Sequence, residues 1–452
     1  LFSNNGSLYT GKKGEDWFFS SEEFPLTDLG CSEIAQLKGV MEVTIPKVAG
    51  KVYVETVKSK HRPHLLPDVE LDSREEKLLE FSTHKIKRCK KCILPETMPF
   101  IKFDAEGICN YCHNYTSRNQ PKPVDMLHEL LKPYRRKGHT DCIVPFSGGR
   151  DSCYGLHLIV KELGMNPIAY TYDWGMVTDL GRRNISRMCA AMGVENIIIA
   201  ADIELKRKNI HKNLAAWLKK PHLGMISLLT AGDKHFFRHV ETVKKQTGIS
   251  LNLWGVNPLE VTHFKTGFLG IPPAFEEKQV YSNGLVSQLD YQSRRFYQMW
   301  QNPGYINSSI FDTLSGEYWR SINKKTDYFH VFDFWEWNEQ IVDDALREYN
   351  WEWATDTRTS WRIGDATAAF YNYIYYTVAG FTEHDTFRSN QIREGAISRE
   401  EALKLVEEEN QPRYESIKWY LQAVDIDFPY AIKAVNSMPK LYESNLSQVV
   451  IA

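Results

Sequence analysis

Two groups of residues have the types and spacing to do chemistry. Cys89-Lys-Lys-Cys92 is followed by Cys109-Asn-Tyr-Cys112. A C-x-x-C pair sets two thiolates on one turn, and two pairs at this separation give the four ligands of a tetrahedral metal, Zn2+ above all. A closed four-cysteine set has no open position, so a structural ion is expected. An iron–sulfur cluster also suits four thiolates, and His113, next to Cys112, could substitute as a ligand. The second group lies in "IVPFSGGRDSCYG" (143–155), where an apolar run stops at Ser147-Gly148-Gly149 and Arg150-Asp151-Ser152 follow. A strand that passes through glycines into a helix aims backbone N–H groups and the positive helix end at one spot. Such a spot takes an anion, and phosphate is its natural guest. The patterns G-x-x-x-x-G-K-[ST] and G-x-G-x-x-G are both missing here. A bare turn, for its part, has no need of Asp151 and Ser152.

The elements around this turn are read from periodicity. Strands are expected at 141–146, 167–174, 196–202 and 250–257, and helices at 150–164, 177–193, 203–220 and 231–248. Strand–helix alternation predicts an α/β fold with a doubly wound parallel sheet, and Gly164, Gly193 and Gly248 stand where helix caps belong. Upstream, a helix is expected at 73–86, strands within 41–57, and a proline-bearing linker at 117–125 leading into a helix at 125–136. Downstream, 401–424 is helical with a break at Pro412, and "YNYIYYTVAGF" (371–381) reads as a buried helix. The aromatic richness of 290–380 reads as core. The domain reading is an N-terminal extension (1–84), a zinc ribbon (85–118), a nucleotide domain (125–280) and an aromatic-rich, mainly helical substrate or dimerisation lobe (281–452).

At Ser147–Ser152 the chain resembles the PP-loop ATP pyrophosphatases, whose signature is S-G-G-x-D-S after a buried strand. That resemblance implies a PP-loop (HUP-like) fold, ATP and Mg2+ as cofactors, and chemistry that ends in AMP and pyrophosphate. Carried over by position, Ser147, Gly148, Gly149, Arg150 and Ser152 belong to the ATP loop, and Asp151 helps place Mg2+. Asp173, in Tyr172-Asp173-Trp174, and Gly255, in "GVNPLE" (255–260), fall where the family contacts the nucleotide. Lys234 falls near the α-phosphate.

A narrower resemblance joins "CKKCILPETMP", "DAEGICNYC", "VPFSGGRDS" and "FRSNQIREGAISREEAL" (387–403) to the N-acetyl sugar amidotransferases of surface polysaccharide and lipopolysaccharide pathways. It implies a ligase that adenylates the N-acetyl oxygen of a nucleotide-linked or related sugar and replaces it with ammonia, giving an acetamidino group. The ammonia would come from a separate glutaminase/cyclase-like partner pair. Asp151 and Lys234 are then candidate catalytic residues. Arg388 joins them as a cation for developing phosphate charge, and Arg393 is a further candidate.

The alternative is a PP-loop tRNA-modifying enzyme, thiolase-like, that grips tRNA through a basic ribbon containing Lys85, Lys87, Arg88, Lys90 and Lys91. Many such thiolases use a cysteine beside the nucleotide, whereas Cys142 and Cys153 sit inside a strand and a helix. A third reading, a zinc-ribbon binding protein with an inactive ATP fold, conflicts with the intact S-G-G-x-D-S.

Bulk composition narrows the classes. The 452 residues carry a net charge of −2, with 42% hydrophobic and 25% charged residues, which is ordinary for a soluble globular chain. Nothing global demands nucleic acid or a membrane surface. Apolar runs of the length needed to cross a bilayer are missing, and the first residues do not have the pattern of a signal peptide. Cys31, Cys142, Cys153 and Cys189 read as small core residues, which fits a reducing, cytoplasmic setting. A homodimer is a further expectation.

Overall fold

The computed structural model describes residues 2–3, 8–43, 74–275 and 284–443, in two compact units, Leu1–Lys77 and Leu78–Ala452. In the first unit β2 (Tyr9–Lys13) pairs antiparallel with β3 (Asp16–Ser20) and β4 (Ser32–Gln36), while β1 (Phe2–Ser3) pairs with β5 (Gly39–Val40). The strands expected over 41–57 lie, from residue 44 on, outside the described residues.

The second unit is built on five parallel strands: β6 (Cys142–Pro145), β7 (Pro167–Asp173), β8 (Glu195–Ala200), β9 (Asn252–Trp254) and β10 (Tyr328–His330). Their order is β10-β9-β6-β7-β8, with Val144 opposite Ala169 and Ile143 opposite Asn252. The chain builds outward from β6 to one edge, returns, and builds outward to the other. The strand order reverses between β6 and β9, and the carboxyl ends of these two strands are where such sheets place their ligands. Alternate strand residues feed separate cores. Cys142, Val144 and Ala169 pack with the helices Arg150–His157, Asp179–Met192 and Glu339–Arg347. Ile143, Tyr170 and Trp254 pack with Val240 and Val243 of the helix Phe236–Thr247.

The four expected strands and their helices form close to the expected bounds. The helix expected at 150–164 is α-helical only to His157, and Leu158–Glu162 widen into a π-helical turn. The expected helix at 231–248 begins instead with a 3-10 turn, Asp233–His235. The edge strand β10 was not expected. Three half-buried residues carry too little alternation to signal a strand, and it comes from the region read as a separate lobe. The helix expected at 73–86 is also absent, leaving only a helical turn at 74–76. Leu78 and Leu79 dock on the helical core, and Glu80 N–H donates to Tyr373 Oη, so tertiary contacts replace helical bonds.

The C-terminal region is helical. Ala366–Ala379 is buried along thirteen of its fourteen residues, as read for 371–381. Glu383–Arg393 follows, opened by a capping box between Thr382 and Asp385. The predicted break at Pro412 separates Arg399–Glu409 from Tyr414–Ala423. Among the described residues, no helix is long and apolar enough to cross a membrane.

Candidate functional site

The glycine turn holds its shape through contacts that other residues could not make. Gly148 has φ +70°, and a methyl group there would lie 2.5 Å from the Gly181 carbonyl oxygen and 2.7 Å from Ile185. Gly149 caps the helix Arg150–His157, whose first bond runs from Cys153 N–H to the Gly149 carbonyl at 3.0 Å. The N–H groups of the first turn have no partner within a helix, so an anion at this end would meet them. Ser147 and Ser152 close the turn with their hydroxyls 3.1 Å apart. Gly155 and Gly255 let the helix and the loop after β9 touch backbone to backbone: a methyl on Gly255 would fall 2.8 Å from the Asp151 carbonyl.

Asp151 is buried at this junction. One carboxylate oxygen accepts from Trp337 Nε1 at 2.7 Å and from Arg150 Nε at 3.3 Å. Trp351 Nε1 donates to the Gly148 carbonyl at 3.1 Å. Glu260, in the loop after β9, accepts from Trp361 Nε1. Burial pushes the Glu260 carboxyl up to about 7: Arg362 pulls against this, and the nearby Asp151 carboxylate adds to it. Two facing carboxylates, one of them reluctant to ionise beside the other, suit a divalent cation. Sequence marks the three tryptophans only as core. The one signal in sequence was their density over 335–361, which said nothing of the loop they hold.

The remaining expected nucleotide residues lie as follows. Asp173 ends β7, accepts from Gly175 N–H at 2.9 Å and pairs with Arg182 at 2.9 Å. Gly255 follows β9. Lys234 stands apart in a cluster with Asp233 (3.3 Å) and Glu317 (3.6 Å). Burial opposes its charge, but the two carboxylates outweigh burial and raise its pKa. Arg150 and Arg388 are buried and share one carboxylate, Glu339. Arg150 Nη1 reaches it at 2.7 Å, and Arg388 bridges it to Glu409. Burial raises the Glu339 pKa, yet the two guanidiniums win and hold it at about 2. Both arginines therefore brace the loop through Glu339 rather than stand as open cations.

The four cysteines are brought together: all four Sγ atoms lie within 4.8 Å of one another, with Cys92 and Cys109 at 3.8 Å and Cys89 and Cys112 at 4.0 Å. A tetrahedral ion with metal–sulfur bonds of about 2.3 Å needs sulfur–sulfur edges of about 3.8 Å. The set therefore fits one tetrahedral ion, whereas an iron–sulfur cluster would interpose several irons and spread the sulfurs. Backbone N–H groups of Cys92 and Cys109 donate to Cys89 Sγ at 3.5 and 3.2 Å. Arg393, expected near phosphate, instead donates to Cys112 Sγ at 3.3 Å and to Cys92 Sγ at 3.2 Å. His113 pairs with Asp104 at 2.6 Å and lies outside the group. Cys142, Cys153 and Cys189 are core residues, as read.

The helix Glu383–Arg393 joins the two sites. Asp385 pairs with Arg88 at 2.7 Å and Ser389 accepts from Ile93 N–H at 3.3 Å, on the cysteine side. On the loop side Arg388 and Gln391 hold Glu339, and Asn390 donates to the Leu259 carbonyl at 2.8 Å.

Comparison with known proteins places little beside this chain. No family model and no curated protein matches it. Among solved structures, it is similar to the U34-tRNA thiolase NcsA of Methanococcus maripaludis, solved with its [4Fe-4S] cluster, at 11% identity and a TM-score of 0.27, over 82% of this chain and 97% of that one. A protein described as a predicted subunit of tRNA methyltransferase from Methanocaldococcus jannaschii is similar at 13% identity and a TM-score of 0.22, over 46% of this chain and 75% of that one. At these scores neither carries function across.

Proposed function

We propose that this chain is an ATP-dependent enzyme that forms AMP and pyrophosphate. The observation that carries this reading is the Ser147–Ser152 turn: an open helix start, a glycine in the left-handed region and two facing hydroxyls, with Asp151 and Glu260 beside it. Ser147, Gly148, Gly149 and Ser152 would receive the terminal phosphates, and Asp151 with Glu260 would hold Mg2+. Bound ATP supplies an adenylyl group that turns a carbonyl oxygen into a leaving group. The cysteine tetrahedron would hold Zn2+ as a structural ion, a reading supported by its sulfur spacing.

For the acceptor, the motif resemblance supports an N-acetylated, nucleotide-linked sugar with ammonia as nucleophile. The carbonyl oxygen would bond to the α-phosphorus as pyrophosphate leaves, and ammonia would then displace AMP, which carries the oxygen away. A second reading, modification of tRNA, is supported by Lys85, Lys87, Lys90 and Lys91, all exposed beside the metal segment. The buried Cys142 and Cys153 thiols, raised chiefly by desolvation, speak against a sulfur-carrying cysteine at the loop.

The deciding experiment incubates the protein with ATP, ammonium and UDP-N-acetyl sugars, and follows nucleotides by chromatography and sugars by mass spectrometry. AMP and pyrophosphate with a sugar mass changed by replacement of O by NH support the amidotransferase. Release of ADP refutes the AMP-forming reading. Should sugars be inert while bulk tRNA binds with an affinity that falls steeply with salt, the second reading stands instead.

A further inference from the structure

The cations named from sequence are all engaged, Arg150 and Arg388 with Glu339 and Glu409, Arg393 with two cysteines, and Lys234 with Asp233 and Glu317. The segment 359–366 supplies another. Ser360 Oγ accepts from Arg150 Nη1 at 3.1 Å. A methyl group on Gly364 would sit 3.9 Å from the Ser147 carbonyl and 3.7 Å from Gly181 Cα. Residues on both sides of Arg362 thus lie against the glycine turn. Its guanidinium is 3.4 Å from Glu260 and 3.8 Å from Glu383, longer than the 2.7 Å of Arg150 to Glu339. Its Nε is buried without a hydrogen-bond partner, yet a third of the side chain is exposed. Glu383, Glu260, Tyr371 and Asp365 all favour its charge, but the two ion contacts are long and leave donors of the planar fork unmatched.

The backbone points the same way. Arg362 has φ +59°, in the left-handed region, where an arginine is strained and a glycine is not. Arg362 stacks its guanidinium 5.2 Å over the Trp361 ring, and Trp361 itself donates to Glu260. Glu383 is fully buried and already satisfied by Lys265 at 2.8 Å and Tyr371 Oη at 2.6 Å, so it does not require Arg362 as its sole counter-charge. An arginine is held in a costly conformation, beside a phosphate-shaped turn, with donors to spare.

We infer that Arg362 is a phosphate-binding residue of the nucleotide site, closing its fork on an anionic oxygen of bound ATP. The inference rests on the nucleotide reading above. It predicts a loss of nucleotide affinity when the fork is removed, without loss of fold, because glycine adopts this backbone readily.

The test titrates Mg-ATP, pyrophosphate and AMP separately into the full chain by calorimetry, for wild type, Arg362→Gly, Arg362→Lys and Ser152→Ala, with a thermal melt of each. Arg362→Gly is expected to melt near wild type and to bind ATP on the order of ten- to a hundredfold more weakly, the loss of charge-assisted hydrogen bonds. Whether pyrophosphate or AMP shares the loss shows which phosphate Arg362 meets. Unchanged affinity in Arg362→Gly, with Ser152→Ala weakened, would overturn the inference and leave the nucleotide reading standing. If wild type binds none of the three, the nucleotide reading itself falls. Should Arg362→Gly melt early, Arg362→Lys decides: it keeps the charge without the fork, and wild-type affinity in it would overturn the inference.

Discussion

Glu339 offers a quantitative check on how the loop is braced. Its carboxylate holds Arg150 and Arg388, both buried, and its pKa lies at about 2 against an ordinary 4.5. That difference, at about 1.4 kcal/mol per unit, makes ionised Glu339 worth about 3 kcal/mol at neutral pH. A second route gives a similar figure: removing one partner of a buried ion pair costs about 3–5 kcal/mol. Because the folded pKa is depressed, the contribution is present in full above the unfolded value of 4.5 and is lost as pH falls through 2. At about pH 3.5 it should have shrunk to about 2 kcal/mol. Glu339→Gln should therefore be destabilised by about 3 kcal/mol at pH 7, with a gap that narrows toward acid. Urea unfolding followed by tryptophan fluorescence, with Trp337 beside the network, measures this. A gap under about 1 kcal/mol, or one that does not narrow with acid, would refute the claim that Glu339 is the shared counter-charge.

Three further outcomes are expected. Gly148→Ala meets the Gly181 carbonyl and a left-handed backbone at once, so urea midpoints should report a loss of about 2–5 kcal/mol along with weaker ATP binding. For Glu260, raised to about 7, the sign is opposite to that of Glu339. The stability it gives is full below its ordinary 4.5 and lost as pH rises through 7, so metal-free protein should weaken over that window and Glu260→Gln should not. Mg2+ bound at neutral pH should displace a proton, seen as a buffer-dependent heat. Metal analysis should find one zinc per chain and no acid-labile sulfide, and stripping the metal with a strong chelator should lower the melting temperature.

Local signals carried much of this architecture. The strand–helix alternation from 140 to 257 was legible because each strand is a short apolar run and three of the four helices run into a glycine, Gly164, Gly193 or Gly248. The cysteine pairs and S-G-G-x-D-S were legible because their chemistry fixes their spacing. The surroundings that sequence could not display depend on distant partners. Arg388 and Arg393 look like free cations in sequence, but the first is claimed by Glu339 and Glu409 and the second by two thiolates. Trp337, Trp351 and Trp361 carry no mark of the loop they grip, since the partners lie up to 203 residues away. β10 is too short to show alternation, and Leu78 to Glu80 pack on the C-terminal helical core instead of continuing a helix. Arg362 shows itself only through its backbone angle and loose contacts, neither of which a sequence displays.

The bond between Arg393 and the thiolates spans 281 and 301 residues. A growing chain folds from its N-terminal end, so the four cysteines emerge long before the arginine that will cover them. Until then the four cysteines lack the cover of that side chain. The helix Glu383–Arg393 carries both Arg393, on the cysteines, and Arg388, on Glu339. The cover over the cysteine group and the brace on Glu339 thereby hang on one helix, and a chain truncated before residue 383 would lack both.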